Sequence, residues 1–491
     1  MLCSNQGLMK RSKQNRLLYV TVRCTFIFLF FNMFYQHCAT LWLILISNQD
    51  VSVIQRSGQL NNRPNQIFAK SGGHTCRISK FAMPLFEKKI IICISGTNLN
   101  NLAAMDFKDT KTAFISKTDK ELQKARLLFR VMASPAMVTI GKNLISLAFG
   151  AHIPVDWAIR PTIYSHFVGG RSLGECHAIV QKLSQYNLKS ILDYSVEGKH
   201  DDASMTATLD ETLRSIANAS SDSNIPFAVF KPTAFASSDL LDNSSPAKPL
   251  TDQQKKEFED FRIRVERLCS EAFSRNVPLM IDAEDSWYQH LVDETVENMM
   301  HKYNGEKAII FNTLQMYRHD RLQYLKDIIG KARKGNFRIG IKFVRGAYME
   351  KERERATALG YPSPIQPDKK STDDAFDQAL LVSLDNLDIM DIFCGSHNEE
   401  SNLLLAHEID KRGLSRNDPR IWFAQLYGMS DHISFNLANA GYNVAKYVPY
   451  GPIKSVMPYL FRRAEENTSI AGQTSRELRL IQTELERRHK A

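Results

Sequence analysis

The feature that most constrains the fold is a regular alternation of short apolar segments with longer amphipathic ones, beginning near residue 189. The short segments are rich in β-branched and aromatic residues and end at turn residues, as strands do. There are eight of them, at 190–194, 226–231, 278–282, 308–313, 338–344, 390–395, 421–425 and 444–448. Helical patterns lie between them, for example at 252–273, 320–334 and 372–386. Strands alternating with helices indicate parallel strands joined by crossovers, and eight such units predict a (β/α)₈ TIM barrel.

A doubly wound open sheet is the alternative architecture for such an alternation. That fold carries a glycine-rich turn after its first strand, and residues 193–197 contain no glycine. We therefore predict an α/β barrel. Ahead of it, helical periodicity at 118–150 and 172–187 predicts an N-terminal helical arm, with Thr118 and Glu121 as a helix cap. The predicted organisation is a segment outside the fold at 1–90, the arm at 91–188, the catalytic barrel at 189–470 and a C-terminal helical tail at 471–491.

Positive charge is concentrated in an N-terminal leader. Residues 1–86 contain ten lysines and arginines and a single acid, Asp50, in a chain of 491 residues with a net charge of +10. Such acid-poor, basic N-termini are typical of mitochondrial targeting sequences. Residues 24–47, however, contain no Asp, Glu, Lys or Arg and are long enough to cross a bilayer. Three interpretations stay open for this segment: a targeting sequence, a membrane anchor, or a wrongly assigned start of the protein.

The rest of the composition excludes several classes of function. Beyond the leader, acidic and basic residues are interspersed and no basic stripe with stacking aromatics occurs, which argues against nucleic acid as a partner. The eight cysteines include no Cys-x-x-Cys pair, so neither a disulfide framework nor a zinc site is indicated. No His-Glu-x-x-His motif occurs, and no metal site is predicted.

Polar residues gather at the predicted carboxyl ends of the strands. In chain order they are Asp193 and Glu197, Lys231, Asp282, Asn312 and Gln315, Lys342 and Arg345, Ser396, His397 and Asn398, Gln425, and Tyr447. In a TIM barrel these ends converge on one mouth, where active sites lie. Hydration of a strand end explains one such residue, but it does not explain a set drawn from eight strands.

The fifth predicted strand carries a lysine, Lys342, inside an otherwise apolar run. A buried lysine is costly unless an anion or a hydrogen-bonding ring lies beside it. For one residue alone, a side chain that extends from the strand end to solvent is the simpler explanation. The following Arg345, Gly346 and Ala347 let the backbone approach a flat, negatively polarised group.

Two adjacent arginines, Arg462 and Arg463, begin the last helical region, with Tyr459 and Glu466 at helical spacing from Arg462. Adjacent guanidiniums form a fork suited to a carboxylate, although an isolated cluster with Glu466 would be a surface ion pair of little energetic weight. After the eighth strand they overhang the mouth, where Lys231 can share the anion. With the Ser-His-Asn turn at 396–398, this set predicts a redox barrel that binds a ring cofactor with a phosphate tail and a small carboxylate.

Several long motifs resemble those of eukaryotic mitochondrial proline dehydrogenases, over roughly residues 105–488. They are KFVRGAYMEKER at 342–353, GYPSPIQ at 360–366, QLYGM at 425–429, YVPYG at 447–451 and RRAEEN at 462–467. The resemblance implies a distorted (β/α)₈ barrel, non-covalent FAD, and oxidation of L-proline to Δ1-pyrroline-5-carboxylate with electrons passed to a membrane quinone. It also implies a mitochondrial location, on the matrix side of the inner membrane.

The resemblance assigns roles to individual residues. For the ring of FAD it implies that Lys342 lies beside the reactive nitrogen and that Asn312 or Gln315 bonds the ring edge. Along the ring and its chain it implies Val344, Arg345, Gly346 and Ala347. At the diphosphate and adenosine it implies Lys369, Thr372, Ser396 and His397. For the substrate it implies a carboxylate clamp of Arg462, Arg463 and Lys231, with Asp282 orienting Lys231 and Tyr447, and a pocket of Tyr348, Leu426, Tyr447 and Tyr459. Glu197 matches the acid that pairs with the first arginine to close the site, and Glu466 belongs to the same catalytic set.

Other functions stay open beside this one. Resemblance to the sister hydroxyproline dehydrogenases would imply a small residue at position 447, so Tyr447 favours proline. A non-catalytic barrel that acts as a membrane scaffold and a Schiff-base aldolase that uses Lys231 or Lys342 are the remaining alternatives. Lys342 stands where bacterial relatives carry arginine, a departure that bears on the tuning of the flavin.

Overall fold

The computed structural model describes residues 106–196, 201–244, 249–469 and 473–490, without the side chains of 466–469 and 473–475. The predictions for residues 1–90, including the apolar segment 24–47, lie outside the described residues. Within the described ranges, eight parallel strands are surrounded by helices, as the alternation predicts.

The eight strands form a single ring. They are β1 Leu188–Tyr194, β2 Ala228–Phe230, β3 Leu279–Ile281, β4 Ile310–Gln315, β5 Ile339–Val344, β6 Met390–Gly395, β7 Ile421–Leu426 and β8 Val444–Tyr450. The pairing order is β1-β8-β7-β6-β5-β4-β3-β2, and a single parallel bridge between Ile191 and Phe227 completes the ring. The predicted (β/α)₈ barrel is therefore confirmed. β2 and β3 are shorter than predicted, since each predicted segment begins with a proline that has no backbone N–H to donate.

Helices follow every strand. After β1 to β4 these are Asp202–Ser221; Ser238–Asn243 and Asp252–Ser274, preceded by the 3₁₀ turn Pro232–Phe235; Gln289–Tyr303; and Arg321–Gly335. After β5 to β8 they are Met349–Leu359 and Lys369–Leu384; Glu399–Lys411; Asp431–Asn439; and Ile453–Ser469 and Gln473–Lys490. Ahead of β1 lie Thr110–Ala113, Asp119–Met132, Pro135–Gly150, Asp156–Ile159, the π-helical turn Arg160–Tyr164, Ser165–Phe167 and Leu173–Ser184.

Aromatic side chains fill the amino-terminal part of the barrel interior. Phe227 makes edge-to-face contacts with Phe311, Phe393 and Trp422 at centroid distances of 5.5, 5.3 and 5.3 Å. Phe227, Phe311 and Phe393 are buried. Because this layer occupies the interior, polar chemistry is confined to the carboxyl ends of the strands.

The arm and the C-terminal helix pack on each other. Helix Asp119–Met132 begins with a capping box in which Thr118 and Glu121 each bond the other's backbone N–H, as their spacing predicts. Its apolar side joins Gln473–Lys490 in a buried cluster of Phe114, Leu122, Ala125, Phe129, Ile481 and Leu485, with Ala113. The arm is thereby tied to the end of the chain as well as to the barrel.

In the described ranges, no single helix has the length and apolar character needed to cross a bilayer. Helices Asp119–Met132 and Pro135–Gly150 meet these criteria only when taken together, and a bend of 95° separates them.

Candidate active site

Lys231, which follows β2, lies in the barrel mouth between two carboxylates. Its Nζ is 2.6 and 2.7 Å from the two carboxylate oxygens of Asp193, in β1. The same Nζ is 3.8 Å from Oδ2 of Asp282, which follows β3. Ser195 Oγ donates to Asp193 at 2.7 Å. Because Asp193 is only 3% exposed, removing Lys231 would leave a buried carboxylate without its cation.

For both Lys231 and Asp193, burial shifts the pKa less strongly than the charges and hydrogen bonds of the neighbouring groups do together. Burial acts against the charge of Lys231, but the negative charges of Asp193 and Asp282 raise the pKa of the lysine above its usual range. Burial likewise acts against the charge of Asp193, and Lys231 with Ser195 lowers the pKa of that carboxyl. Both groups are therefore ionised at neutral pH.

Asp282 joins three strands at the mouth. It accepts hydrogen bonds from Lys342 Nζ, in β5, and from the Tyr447 hydroxyl, in β8, the latter at 3.1 and 2.9 Å to its two oxygens. Lys342 Nζ also lies 4.7 Å from the centre of the Tyr447 ring. Burial, followed by the charges of Asp282 and Asp193, raises the pKa of Tyr447 well above its usual range, so the phenol stays protonated. Asp282 thus orients Tyr447, whereas the closer carboxylate to Lys231 is Asp193.

A third carboxyl, beside Asp193 and Asp282, has a shifted pKa. Glu284 is buried after β3, and the backbone N–H of Thr233 donates to its Oε2 at 3.0 Å. Burial raises the pKa of Glu284 to about 7, against opposing effects of Thr233 and Lys231. Glu284 is therefore the group near the mouth whose charge changes close to neutral pH.

Arg345 leads from the fifth strand to a cationic cluster outside the ring. Its guanidinium donates to Asp373 at 2.7 Å, to Ser396 Oγ at 2.6 Å and to Ser401 Oγ at 2.9 Å. Lys369 pairs with the same Asp373. Asp373, on the amino-terminal half of helix Lys369–Leu384, therefore brings the predicted residues Arg345 and Lys369 together, and Arg345 connects them to Ser396.

Thr372 belongs to the same helix turn as this cluster. Its hydroxyl donates to the backbone oxygen of Asp368 at 3.2 Å, and the residue is 8% exposed. Thr372 thus stands beside Lys369 on the helix, but its hydroxyl is used within the helix.

His397 is fixed by the loop that follows β7. Its Nδ1 is 2.9 Å from Ser430 Oγ, and the backbone N–H of Leu426 lies 3.5 Å from its Nε2. Burial, followed by the charges of Lys446 and Arg463, lowers the pKa of His397 to about 3, so the ring is neutral. A neutral imidazole can accept a hydrogen bond as well as donate one.

The turn after β5 presents bare backbone beside an aromatic ring. Gly346 has a φ of +128°, and a Cβ there would lie 2.5 Å from the ring of Tyr317. Gly346 and Ala347 are exposed, whereas Val344 and Tyr348 are half-buried. A flat group could approach this exposed backbone at a glycine that a larger residue could not replace, and its contact with such a group stays a prediction.

Asn312 and Gln315, the two residues predicted at the edge of the cofactor ring, point to opposite faces of β4. Asn312 Nδ2 donates to Asp293 at 3.0 Å and to the Tyr324 hydroxyl at 3.2 Å, and both partners lie on the surrounding helices. Asn312 therefore points away from the barrel interior, and its predicted contact with a ring in the mouth is wrong. Successive residues of a strand point to opposite faces, so Gln315, three residues on, points inward, where its Nε2 donates to the Glu284 carbonyl at 2.5 Å.

Helix Ile453–Ser469 brings the predicted arginines to the mouth. Tyr459 is buried, Arg463 is 7% exposed and stacks on the Tyr459 ring at 5.1 Å, and Arg462 is half-buried. The charge of Arg463 helps to lower the pKa of His397, which lies at the mouth. Leu426 packs against both the cluster that contains Tyr459 and the cluster that contains Tyr447. Glu197 and the side chain of Glu466 lie outside the described residues.

Three residues that the role assignment missed hold this arrangement in place. Asp193 was predicted only as a polar strand end, Asp373 lay unremarked within a predicted helix, and Ser430 followed a recognised motif at 425–429. Each is an acceptor or a bridge for a predicted residue, and no local pattern marks such a partner. Asp193 alone carried a usable signal, since its strand neighbours the strand that ends at Lys231.

Two other kinds of site can be assessed in the described ranges. Residues 170–174 have the order Gly-x-Ser-x-Gly, but Ser172 caps the arm helix Leu173–Ser184 and does not follow a strand, so it forms no nucleophile elbow. No group of three or more His, Cys, Asp or Glu side chains with metal-binding geometry occurs among the described residues.

A closed parallel barrel that carries Lys231 after β2, Lys342 in β5 and Arg463 on the helix after β8 defines the class of the protein, a TIM barrel with several cations near its carboxyl end. Residues 176–476 match the family described as proline dehydrogenase, and the chain belongs to that family. Proteins of this family are oxidoreductases that act on proline.

Individual relatives agree with this family. The carbapenem antibiotics biosynthesis protein CarD of Pectobacterium carotovorum is 34% identical over 327 residues, which cover 66% of this chain and 84% of that protein. The mitochondrial proline dehydrogenase 2 of Arabidopsis thaliana is 30% identical over 431 residues, covering 78% and 90%. A hydroxyproline dehydrogenase of Xenopus laevis is 29% identical over 423 residues, covering 78% and 90%.

A solved structure shares the fold. Proline utilization A from Bdellovibrio bacteriovorus, inactivated by N-propargylglycine, superposes with a TM-score of 0.59 at 19% identity. The match covers 73% of this chain and 38% of that one.

Proposed function

We propose that this chain oxidises L-proline to Δ1-pyrroline-5-carboxylate by transferring a hydride to bound FAD, and that a membrane quinone takes up the electrons. The observation that carries the proposal is the meeting of Lys231, Lys342 and the helix of Arg463 at one mouth in a member of the proline dehydrogenase family. A cationic, partly dry mouth suits a small imino acid whose carboxylate must be held in a fixed position.

The carboxylate of proline would be bound by Arg462, Arg463 and Lys231. Adjacent guanidiniums on one helix can take the two oxygens, and Lys231 is held at the mouth by Asp193 at 2.6 Å. Because Asp193 neutralises Lys231 before substrate arrives, the substrate carboxylate competes for that lysine instead of meeting a free cation. The two arginines therefore provide most of the attraction.

The residues present fit FAD. The exposed backbone of Gly346 and Ala347 and the inward Gln315 would suit the ring system, and Lys342 and Val344 of β5 would help to hold it. Arg345, Lys369, Ser396 and the neutral His397 supply donors and positive charge for a diphosphate tail, although Asp373 already shares two of them. Thr372 stands in the same helix turn. The bound flavin supplies the hydride acceptor.

The chain's own residues position the substrate and exclude water. Tyr447, held by Asp282 at 2.9 Å, and Leu426 and Tyr459 form an apolar wall for the pyrrolidine ring. Lys342 maintains positive charge beside the reacting atoms while Asp282 keeps it fixed. Tyr348, which follows β5, and the acids Glu197 and Glu466 complete the proposed site. Closure by these groups would remove water from the mouth before hydride transfer.

The cellular setting belongs to the same proposal. The relatives named mitochondrial support a mitochondrial location. We propose that the protein acts on the matrix side of the inner membrane, where a quinone is available, and that it has no nucleic-acid partner. The domain boundaries at 90, 188 and 470 are part of this proposal.

The deciding test is the visible spectrum of the full-length protein with and without L-proline. Flavin absorbance that bleaches on anaerobic addition of L-proline is expected, and protein that lacks flavin absorbance would contradict the proposal in favour of a scaffold. Arg463→Met should raise KM for proline roughly 10- to 100-fold, since a charged hydrogen bond is lost, and should leave flavin bound. The exposed Arg275→Met serves as the matched control. Loss of FAD from Arg463→Met would mean that this residue binds the cofactor instead.

A second candidate is hydroxyproline dehydrogenase, favoured by the Xenopus relative. Tyr447 argues against it, because its ring and hydroxyl fill the space that a substrate hydroxyl would need. The ratio of kcat/KM for L-proline and hydroxyproline distinguishes the two, and a ratio below one would reverse the assignment.

A further inference from the structure

Helix Pro135–Gly150 of the arm packs one side against the core and leaves large apolar side chains exposed elsewhere. It has sixteen residues with a single charged side chain, Lys142, and Ala148 is its one buried residue. Ile140 is 38% and Leu147 is 69% exposed. A surface helix of a globular protein normally turns its apolar stripe to the core and covers the other face with charged residues. Here Val138, Ile145 and Phe149 do pack against the core, but Ile140 and Leu147 present large apolar side chains to the surroundings.

Positive charge accompanies this apolar surface. Residues 122–155 contain four basic residues, Lys124, Arg126, Arg130 and Lys142, and no aspartate or glutamate. On the preceding helix, Leu127 is 47% exposed, and Lys124 and Arg130 lie three residues to either side of it and are also exposed. Apolar and cationic side chains are thus interleaved without acids within residues 122–155, although Asp156 follows directly and Glu465 pairs with Lys142. This excess of cations matches the chemistry of an anionic lipid surface.

A tryptophan is exposed near the end of this helix. Trp157 is 41% exposed in the short helix Asp156–Ile159. Ile159 of that helix belongs to the buried cluster that contains Ala148, so Trp157 is anchored near the carboxyl end of Pro135–Gly150. Tryptophan is enriched at the boundary between lipid headgroups and acyl chains.

The geometry favours lying in a membrane surface over crossing it. Only the two helices together meet the length and apolarity of a span, and they are bent by 95°. An apolar helix with cationic flanks and a tryptophan beside it is the pattern of a segment that lies within the headgroup region.

We propose that this surface, formed by Leu127, Ile140, Leu147 and Trp157 with Lys124 and Arg130, docks the protein on an anionic phospholipid bilayer. Lys142 connects it to the active site, because its Nζ pairs with Glu465 at 2.7 Å and lies 5.8 Å from the Phe461 ring. Both partners are in helix Ile453–Ser469, which carries Arg462 and Arg463. The docked bilayer is therefore adjacent to the helix that overhangs the mouth. The inference rests on the proposed function only in giving this contact a purpose, access to a membrane quinone.

The test uses the full-length protein and vesicles of phosphatidylcholine with or without an anionic phospholipid, each containing brominated acyl chains. The signal is the fluorescence of Trp157, isolated by subtracting the Trp157→Phe variant, so that binding by other segments does not contribute. Quenching is expected on anionic vesicles. The double variant Ile140→Ser with Leu147→Ser should weaken the quenching at least tenfold in lipid concentration. The double variant Lys124→Gln with Arg130→Gln should weaken it roughly fivefold per cation.

The matched control removes equally exposed apolar side chains elsewhere. Ile263 and Phe273, on helix Asp252–Ser274, are 57% and 52% exposed, and the double variant Ile263→Ser with Phe273→Ser should bind as the wild type does. Equal quenching in the Ile140 and Leu147 variant, equal quenching on neutral vesicles, or no Trp157 quenching would each overturn the proposal. Self-association in solution that the same variant abolishes would assign the face to a second copy of the chain instead.

Activity separates this inference from the proposed function. Proline oxidation with a water-soluble electron acceptor is expected to be unchanged in all these surface variants. Normal oxidation without lipid binding would reject the docking surface alone, whereas lipid binding without oxidation would reject the proposed function alone.

Discussion

Lys231 pairs with Asp193 and is also the cation proposed to bind the substrate carboxylate. In Lys231→Met the buried Asp193 keeps only Ser195 as a close partner. We expect the free energy of unfolding to fall by about 3 kcal/mol, since a buried charge is left uncompensated. Adding Asp193→Asn should restore most of the loss. Chemical denaturation of the three variants measures this, and a double variant as unstable as Lys231→Met would show that the ion pair is not the cause.

The pH dependence of this pair follows from the directions of the two pKa shifts. The pKa of Asp193 is lowered, so its contribution to stability is present above the usual aspartate range and is lost as pH falls through the lowered value. The pKa of Lys231 is raised, so its contribution is present below the usual lysine range and is lost as pH rises through the raised value. The stability difference between wild type and Lys231→Met should therefore be constant near neutral pH and shrink at both extremes.

The effect of Glu284 on stability depends on pH in the opposite direction to that of Asp193. Burial raises its pKa to about 7 from an ordinary value of 4.5, so the folded protein binds the proton more tightly and loses stability as pH rises between these values. Glu284→Gln removes that loss and keeps an oxygen for the Thr233 N–H. It should stabilise the protein at pH 8 by up to about 3 kcal/mol relative to pH 4. Denaturation at both pH values measures the effect, and the exposed Glu306→Gln is the control.

At the scale of elements, the sequence predicted which segments are strands and that polar residues meet where they end. It did not predict which face each residue occupies. In the barrel, Lys342 is paired with Thr313 and not with Asn312. Thr313 therefore lies on the inward face together with Lys342, and Asn312 points to the surrounding helices. Shifting a strand by one residue exchanges its two faces. Such register depends on neighbours far along the chain, as does the pairing of Lys231 with Asp193.

The buried acid Glu484 ties the C-terminal helix Gln473–Lys490 to the arm. Glu484 is fully buried and accepts from Arg487, Arg488 and the Thr110 hydroxyl. Glu484→Gln weakens charge-assisted bonds to both arginines, and we expect about 1–3 kcal/mol less stability. Hydrogen exchange of residues 473–490 should be faster than in wild type. Glu486→Gln, exposed on the same helix, should leave that exchange unchanged, and equal effects of the two variants would contradict the role of Glu484.

At the scale of the whole molecule, the ring has one weak join. Between β1 and β2 a single bridge, from Ile191 to Phe227, completes it, whereas β1 and β8 pair over seven residues. We expect backbone amides of β2 to exchange hydrogen faster than those of β6, because local opening starts where pairing is least extensive. Equal protection of the two strands, measured under native conditions, would show that the ring opens cooperatively.

The Asp193–Lys231 ion pair crosses this same join, from the end of β1 to the residue after β2. A ligand that binds Lys231 therefore competes with Asp193 and weakens an ion pair that holds β1 and β2 together where the barrel has the fewest backbone contacts. Ligand binding would then replace the Asp193–Lys231 contact with a contact between the ligand and Lys231. The join between β1 and β2 need therefore be no more rigid in the bound enzyme than in the free one.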